Sequence, residues 1–302
     1  MGVAAAQSTQ PAQYPRPLGL LLTILRLGGI GINARFWISI ALLSLILLFG
    51  ILGPTVFGKR DPLRIVGGLY DPPSRTVWLG TDNFGRDVFA QLMYGTRTSL
   101  TIGLIAGATA TAIGVAIGTV AGFRGGWVEE ALMGITNVVI TIPSIVILIL
   151  LSIAVASRSI LVMGLIIGIT SWPWTARAVR AQTSSLRARE HLDIARLSGA
   201  STLSLILWDI IPYMFSYIFM AFVLQFASGI LQEAALSLLG LGPSNTISLG
   251  IMLQWSLLWE AVRTGAWWAF FPPTLLLSVI AFALLLLQSS LDELFNPRLR
   301  RN

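Results

Sequence analysis

Few residues in this sequence are equipped for chemistry, and their positions narrow what that chemistry is. Among 302 residues there is no cysteine and one histidine, His191. Disulfides, thiolate metal sites, cysteine nucleophiles and a multi-histidine metal centre are excluded. A phosphate-binding loop of the form GxxxxGK[ST] needs a lysine to reach the β- and γ-phosphates. The only lysine is Lys59, in Gly58-Lys59-Arg60, and neither Ser nor Thr follows it. The chain is therefore not expected to be an enzyme or to need a cofactor of its own, and nucleotide-driven work would require another subunit. One carboxylate, Glu233, stands inside a long apolar run. Charge at membrane depth marks an ion path, a gate or a buried ion pair. Arg97, at the start of another apolar run, is a candidate partner; Glu233 reads either as a structural ion pair or polar cap on a helix bundle, or as a gate or substrate contact at the outer mouth. A single such carboxylate is a thin supply for proton or sodium coupling.

The second cluster lies over residues 187–212. Leu192, Ala195 and Leu197 alternate with charged residues, Asp193 and Arg196 among them, in a helix-compatible pattern. Gly199 follows where a helix end takes a left-handed residue. Ser201 can cap a second helix, along which Leu203, Ile206 and Leu207 form an apolar stripe at helical spacing. Pro212 then removes one backbone bond as the chain enters the next apolar run. The expected unit is a short helix, a turn and a second helix, with a small-residue face at Ala195 and Ala200. Such a face fits a cleft on another protein. The five arginines between Arg177 and Arg196 equally fit a helix lying on anionic lipid.

These residues must be held by apolar elements. The chain is 55% hydrophobic and 11% charged, where a soluble domain carries about 25% charged residues. That composition is an all-α polytopic membrane protein. The net charge of +7 does not imply nucleic acid, because the basic residues lie between apolar runs rather than on one face. A membrane helix needs about 20 apolar residues. Six segments qualify, at about 36–57, 99–123, 132–156, 159–176, 211–239 and 267–291. Six spans put both termini on one side, and the arginine-rich segments favour the cytoplasm for that side. Residues 18–30 suggest an interfacial helix rather than a cleaved signal. The expected division is a cytoplasmic tail with interfacial helix over 1–35, a first span with a long extracellular loop over 36–98, a five-helix core over 99–291 and a cytoplasmic tail over 292–302. Gly103/Gly107 and Gly114/Gly118/Gly122 are GxxxG steps, which predict close packing against a helix of this chain or of a partner. Pro143, Pro173, Pro272 and Pro273 read as kinks or helix starts.

Asp193-Ile194-Ala195-x-x-x-Gly199 followed by Ile210-Ile211-Pro212 resembles the EAA motif of ABC importer permeases. Leu79-Gly80-Thr81-Asp82-x-x-Gly85-Arg86-Asp87, Tyr94-Gly95-x-Arg97-x-Ser99, Gly125-Gly126-Trp127, Trp172-Pro173, Glu233-Ala234-x-Leu236-Ser237 and Asn296-Pro297-Arg298 look like the C-type subunits of dipeptide and oligopeptide permeases. Their order and spacing run through nearly the whole chain. Gly134 and Asn137 depart from the usual Arg and Asp, and 286–289 from a usual Gly-Asp pair. The resemblance implies a type I importer permease of the MetI-like fold in the plasma membrane of a bacterium or archaeon. It implies a second permease subunit, two ATP-binding subunits that use ATP and Mg, and an extracellular solute-binding protein. Leu192, Asp193, Ala195, Arg196, Gly199, Ala200 and Pro212 would form and follow the coupling helix, at about 190–203. Gly80, Thr81, Asp82, Gly85, Arg86 and Asp87 would form an extracellular loop motif. The cargo implied is peptide or oligosaccharide. An ion-coupled carrier and a non-transporting membrane scaffold are the alternatives.

Overall fold

Asp87 starts the longest element. Its carboxylate accepts the backbone N–H groups of Phe89 (2.9 Å) and Ala90 (3.4 Å), an N-cap that satisfies donors a helix start leaves open. From there α2 runs Val88–Arg124. Its 37 residues span about 55 Å at 1.5 Å per residue, well beyond the ~30 Å apolar thickness of a bilayer. The computed structural model describes residues 34–58, 60–155 and 157–295. The expected interfacial helix at 18–30, the N-terminal tail and the Asn296-Pro297-Arg298 motif lie outside the described residues.

The other elements are α1 (Ala34–Val56), α3 (Gly126–Thr141), α4 (Ser144–Ala154), α5 (Ile160–Arg187), α6 (Glu190–Leu197), α7 (Thr202–Leu238), α8 (Leu249–Leu258) and α9 (Trp267–Phe295). Helices α1, α2, α5, α7 and α9 are each long and apolar enough to cross a membrane. The expected third span, at 132–156, is not one rod. It is split into α3 and α4, which meet at 85°. Pro143 causes the break. A residue before proline is driven out of the helical region, and Ile142 is extended at φ −83°, ψ 127°. At 16 and 11 residues, neither half reaches the ~20 needed to cross alone. Among the described residues the fold thus has five full spans, or six if the bent pair counts as one.

Helices α2, α5 and α7 form the centre. The GxxxG steps face inward within the chain. A methyl group at Gly118 would stand 2.5 Å from the Ala176 carbonyl oxygen, and one at Gly114 2.6 Å from Thr175 Cβ, so α2 and α5 touch backbone to backbone. Gly107 packs in the same way on Phe226 of α7. This answers the open choice between an in-chain and a partner helix for these glycines. Helices α1 and α9 flank the centre and share an apolar cluster with α2, α7 and α8 that includes Ile46, Leu92, Ile230, Leu277 and Leu284.

The expected second helix of the 187–212 unit is not separate from the span that follows. It is the first part of α7, joined through a π-helical segment, Leu205–Ile210. There the Ile211 N–H reaches back to the Ile206 carbonyl. Pro212 has no N–H for the carbonyl four residues back, and its ring crowds it. A wider turn just before it accommodates the ring without ending the helix.

Candidate functional site

Residues at the two ends of α7 make two separate constellations. They lie about 45 Å apart along the helix at 1.5 Å per residue. At the N-terminal end, α6 is anchored through Leu192, which is fully buried with Phe123 of α2, Val179 and Leu186 of α5, and Leu205, Ile210 and Met214 of α7. Ala195 and Ala200 pack against the same cluster. The Ala200 N–H donates to the Ala195 carbonyl at 3.1 Å, the outer bond of a Schellman turn. That turn needs a left-handed residue just past the helix, and Gly199 supplies it at φ +86°. Ser201 Oγ accepts the Ser204 N–H at 3.2 Å and caps α7. The outward side is open: Ile194 is 62% and Leu197 89% exposed, and no atom stands within 4 Å of where a Gly199 side chain would begin. Asp193 and Arg196 lie on α6, between the buried Leu192 and the exposed Leu197.

At the other end, Glu233 is completely buried. It is not paired with Arg97, which points outward and is exposed. Three serine hydroxyls donate to it instead. Ser99 of α2 reaches Oε2 at 2.9 Å. Ser237 of α7 and Ser248 reach Oε1 at 2.7 and 2.6 Å. Ser248 is the N-cap of α8 and also accepts the Ile251 N–H at 3.1 Å, while Ser99 accepts the Leu249 N–H at 3.2 Å. One carboxylate therefore ties α2, α7 and α8 together. The expected Arg97 pairing failed because α2 turns Ser99, not Arg97, toward α7. Sequence reasoning passed over the serines, since Ser99 and Ser248 are far from Glu233 in the chain; Ser237, one helical turn on, was the available signal.

The segment before α2 is a folded cap beside this lock. Thr81 Oγ1 accepts the Asp71 N–H and donates to the Gly68 carbonyl, both at 2.7 Å. Asp82 Oδ1 accepts the N–H groups of Phe84 and Arg86 at 2.8 Å, and its Oδ2 takes Gln91 Nε2 at 2.6 Å. Arg60 reaches Asp87 at 2.7 Å. Gly85, at φ +74°, sits directly on the Gly67 carbonyl, where a side chain has no room. Arg86 lies over the rings of Phe84 and Trp255, at 4.4 and 5.2 Å, and Trp268 Nε1 donates to the Thr81 carbonyl at 3.1 Å. Gly80 lies against Trp268. Tyr70 donates to the Trp259 carbonyl at 3.1 Å; partial burial, then the nearby Asp82 charge, holds its phenol above the ordinary value. Of the six expected loop residues, Gly80, Thr81, Asp82, Arg86 and Asp87 thus hold the cap to α2 or to α8 and α9, while Gly85 closes the cap on itself at Gly67.

Comparison with known proteins identifies the architecture. Residues 114–301 match the family described as "Binding-protein-dependent transport system inner membrane component". The chain belongs to this family. Among curated relatives, the dipeptide transport system permease protein DppC of Bacillus subtilis is 33% identical over 234 residues, 76% of this chain and 71% of that protein. The oligopeptide transport system permease protein OppC of the same organism is 32% identical over 271 residues, 89% and 87% of the two chains. In fold, the permease is similar to a chain of the MetNI methionine ABC transporter in an inward-facing conformation, with TM-score 0.54 and 15% identity, covering 68% of this chain and 94% of that one. It is thus a multi-pass membrane permease subunit of an ABC importer, of the DppC/OppC type. Among the described residues, no group of three or more His, Cys, Asp or Glu could hold a metal ion.

Proposed function

We propose that the permease imports peptides, pairing with a second permease subunit and docking one of two ATP-binding subunits through α6. An extracellular binding protein delivers the solute, and ATP and Mg are used in the partner ATPases. In this reading the bent α3–α4 pair counts as the sixth crossing and both termini are cytoplasmic. The cap before α2 and the Glu233 lock then lie at the extracellular face, and the chain divides at about 35, 98 and 291. Peptide is favoured over oligosaccharide as cargo because both curated relatives above carry peptide names. An ion-coupled carrier is less well supported, since Glu233 is engaged by three serine hydroxyls that tie helices together.

The carrying observation is the geometry of α6. Leu192 and Ala195 fasten it to three spans, while Ile194, Leu197 and the turn at Gly199 stand free. A helix rooted in the transmembrane core and apolar on its free side can take up the motion of a docked subunit as a rigid body. Leu192, Ala195 and Ala200 root it, and Asp193 and Arg196 supply its polar positions. Pro212 and the π turn carry the connection into α7.

Gly199→Leu tests this. A branched side chain at φ +86° costs about 1–2 kcal/mol locally and adds bulk to the free surface. In proteoliposomes holding the whole importer, Gly199→Leu should lower uptake per ATP hydrolysed at least tenfold, with the protein inserted normally. Gly199→Asn, which tolerates the left-handed region, should stay within about twofold of the parent. Normal coupling in the leucine variant would overturn the role of α6.

A further inference from the structure

Helix α7 carries Gln225, Ser228 and Gln232, spaced to form one polar stripe on a mostly apolar span. Polar groups at membrane depth are costly and persist where they meet partners or a water-filled cavity. The stripe faces such a cavity, of about 390 Å³, between α7, α5 and the bend of α3–α4. Ser171 and Trp174 of α5 and Pro143 at the bend complete the part of the wall that matters here. Irregular backbone at this depth is tolerated where it is buried in protein or lines a cavity, and the Ile142–Pro143 break does the latter.

The hydrogen bonds show which atoms are free. Gln225 Nε2 donates to the Ser171 carbonyl at 2.9 Å and to Thr175 Oγ1 at 2.8 Å. Its Oε1 has no donor among the described residues. Gln232 Nε2 donates to Ser228 Oγ at 2.8 Å and Ser171 Oγ at 3.2 Å. The single hydroxyl proton of Ser171 is held at 2.7 Å by the Ile167 carbonyl, so the 3.4 Å approach of Ser171 Oγ to Gln232 Oε1 is not a strong bond. Both carboxamides thus spend their N–H groups on the protein and keep their oxygens for something else. The carbonyl of Val139, also in the wall, lacks its helical partner because Pro143 has no N–H. Among the described residues that line it, the cavity thus offers these free acceptors and no charged side chain.

The geometry points to a solute subsite in this cavity that takes an extended peptide main chain, with Gln225 and Gln232 accepting its N–H groups. The two glutamines are seven residues apart, about 10 Å along the helix, which matches one turn of an extended polyproline-II chain, three residues at about 3.1 Å each, whose N–H groups at i and i+3 face the same side. Amide donors meet free acceptors, while the apolar wall at Ile147, Trp174 and Leu224 leaves solute side chains unread. A volume near 390 Å³ lies within the range of small-ligand sites, roughly 300–1,000 Å³. This subsite deepens the permease reading and rests on it.

The test uses the complete importer in proteoliposomes, with tri-alanine and maltotriose as probes. Gln225→Met and Gln232→Met keep side-chain length and remove the acceptor. Each should raise the KM for tri-alanine uptake at least tenfold. A tripeptide bearing a benzophenone group, photolysed on the parent complex, should label α5 or α7; this measurement needs no variant to fold. Unchanged KM in variants that still co-purify with the ATPase, labelling confined to other segments, or uptake of maltotriose but not tri-alanine would each overturn the subsite. A parent complex that moves neither solute while hydrolysing ATP would instead sink the permease reading itself.

Discussion

Glu233 shows how a single side chain can be misjudged from its type. An intramembrane carboxylate invites a search for a cation, and Arg97, at the start of another apolar run, is a candidate. The buried carboxylate instead accepts three hydroxyl donors, one each from α2, α7 and the cap of α8. Hydrogen bonds to a carboxylate are among the stronger ones, and each buried partner left unpaired costs about 1–3 kcal/mol. Glu233→Leu strands Ser99, Ser237 and Ser248 together. It should destabilise the detergent-solubilised permease by about 3 kcal/mol or more, visible as a lower thermal midpoint. Glu233→Gln keeps an oxygen acceptor and should lose much less, whereas Arg97→Gln should change stability by less than about 0.5 kcal/mol. Equal losses for Arg97→Gln and Glu233→Leu would restore the ion pair. At this scale local signals were legible and distant ones were not. Gly199 and Ser201 report their own backbone roles, because turn and cap chemistry is set within a few residues. The serines around Glu233 are joined only by the packing of three helices.

At the scale of elements, hydropathy located the five full spans among the described residues but missed the break within 132–156. Averaging over 132–156 sees one apolar run; the 85° bend comes from Ile142 and Pro143 alone. The second helix at 202–210 reads as separate because Pro212 suggests a stop, yet a π turn carries the chain through. The polar stripe at Gln225, Ser228 and Gln232 was not singled out in the sequence, because its significance depends on the bend that faces it. The GxxxG glycines were the most legible packing signal, and only their partner needed the fold. They give a sharp prediction. Gly118→Val places methyl groups into the Ala176 carbonyl and Val179. Overpacking typically costs about 1–3 kcal/mol, and here backbone must move, so the upper end is expected. Gly134, with open space around it and an ordinary helical position in α3, should accept alanine with a gain of about 0.5–1 kcal/mol. Thermal unfolding of the two variants in one detergent checks both; a tolerated Gly118→Val would mean that α2 and α5 are not in backbone contact.

Across the whole molecule, the contacts divide the permease into a stiff body and a looser part. Helices α2, α5 and α7 are locked by glycine packing, the Leu192 cluster roots α6 in them, and Glu233 fastens α8. The α3 helix is held differently. Its one buried residue is Thr136, and it meets α5 through polar contacts, Arg180 with Glu129 and Arg177 with Asn137 at 2.6 Å. Regions with little buried apolar contact open at lower free energy. If α6 docks a partner as proposed, motion received there should pass to α8 without internal change and be expressed as displacement of α3 against α5, at the cavity. The absence of cysteine makes this directly testable with introduced pairs. Thr98 and Thr246 hydroxyls lie 3.3 Å apart, within the stiff body. A disulfide in Thr98→Cys/Thr246→Cys should leave uptake within about twofold of the reduced form, since nothing it joins needs to separate. Asn137→Cys/Arg177→Cys bridged by a bifunctional maleimide should lower uptake at least tenfold relative to the same protein unbridged, because it pins α3 to α5. Comparable inhibition by both bridges would mean that α8 also moves against α2, and that the Glu233 lock opens during transport rather than holding through it.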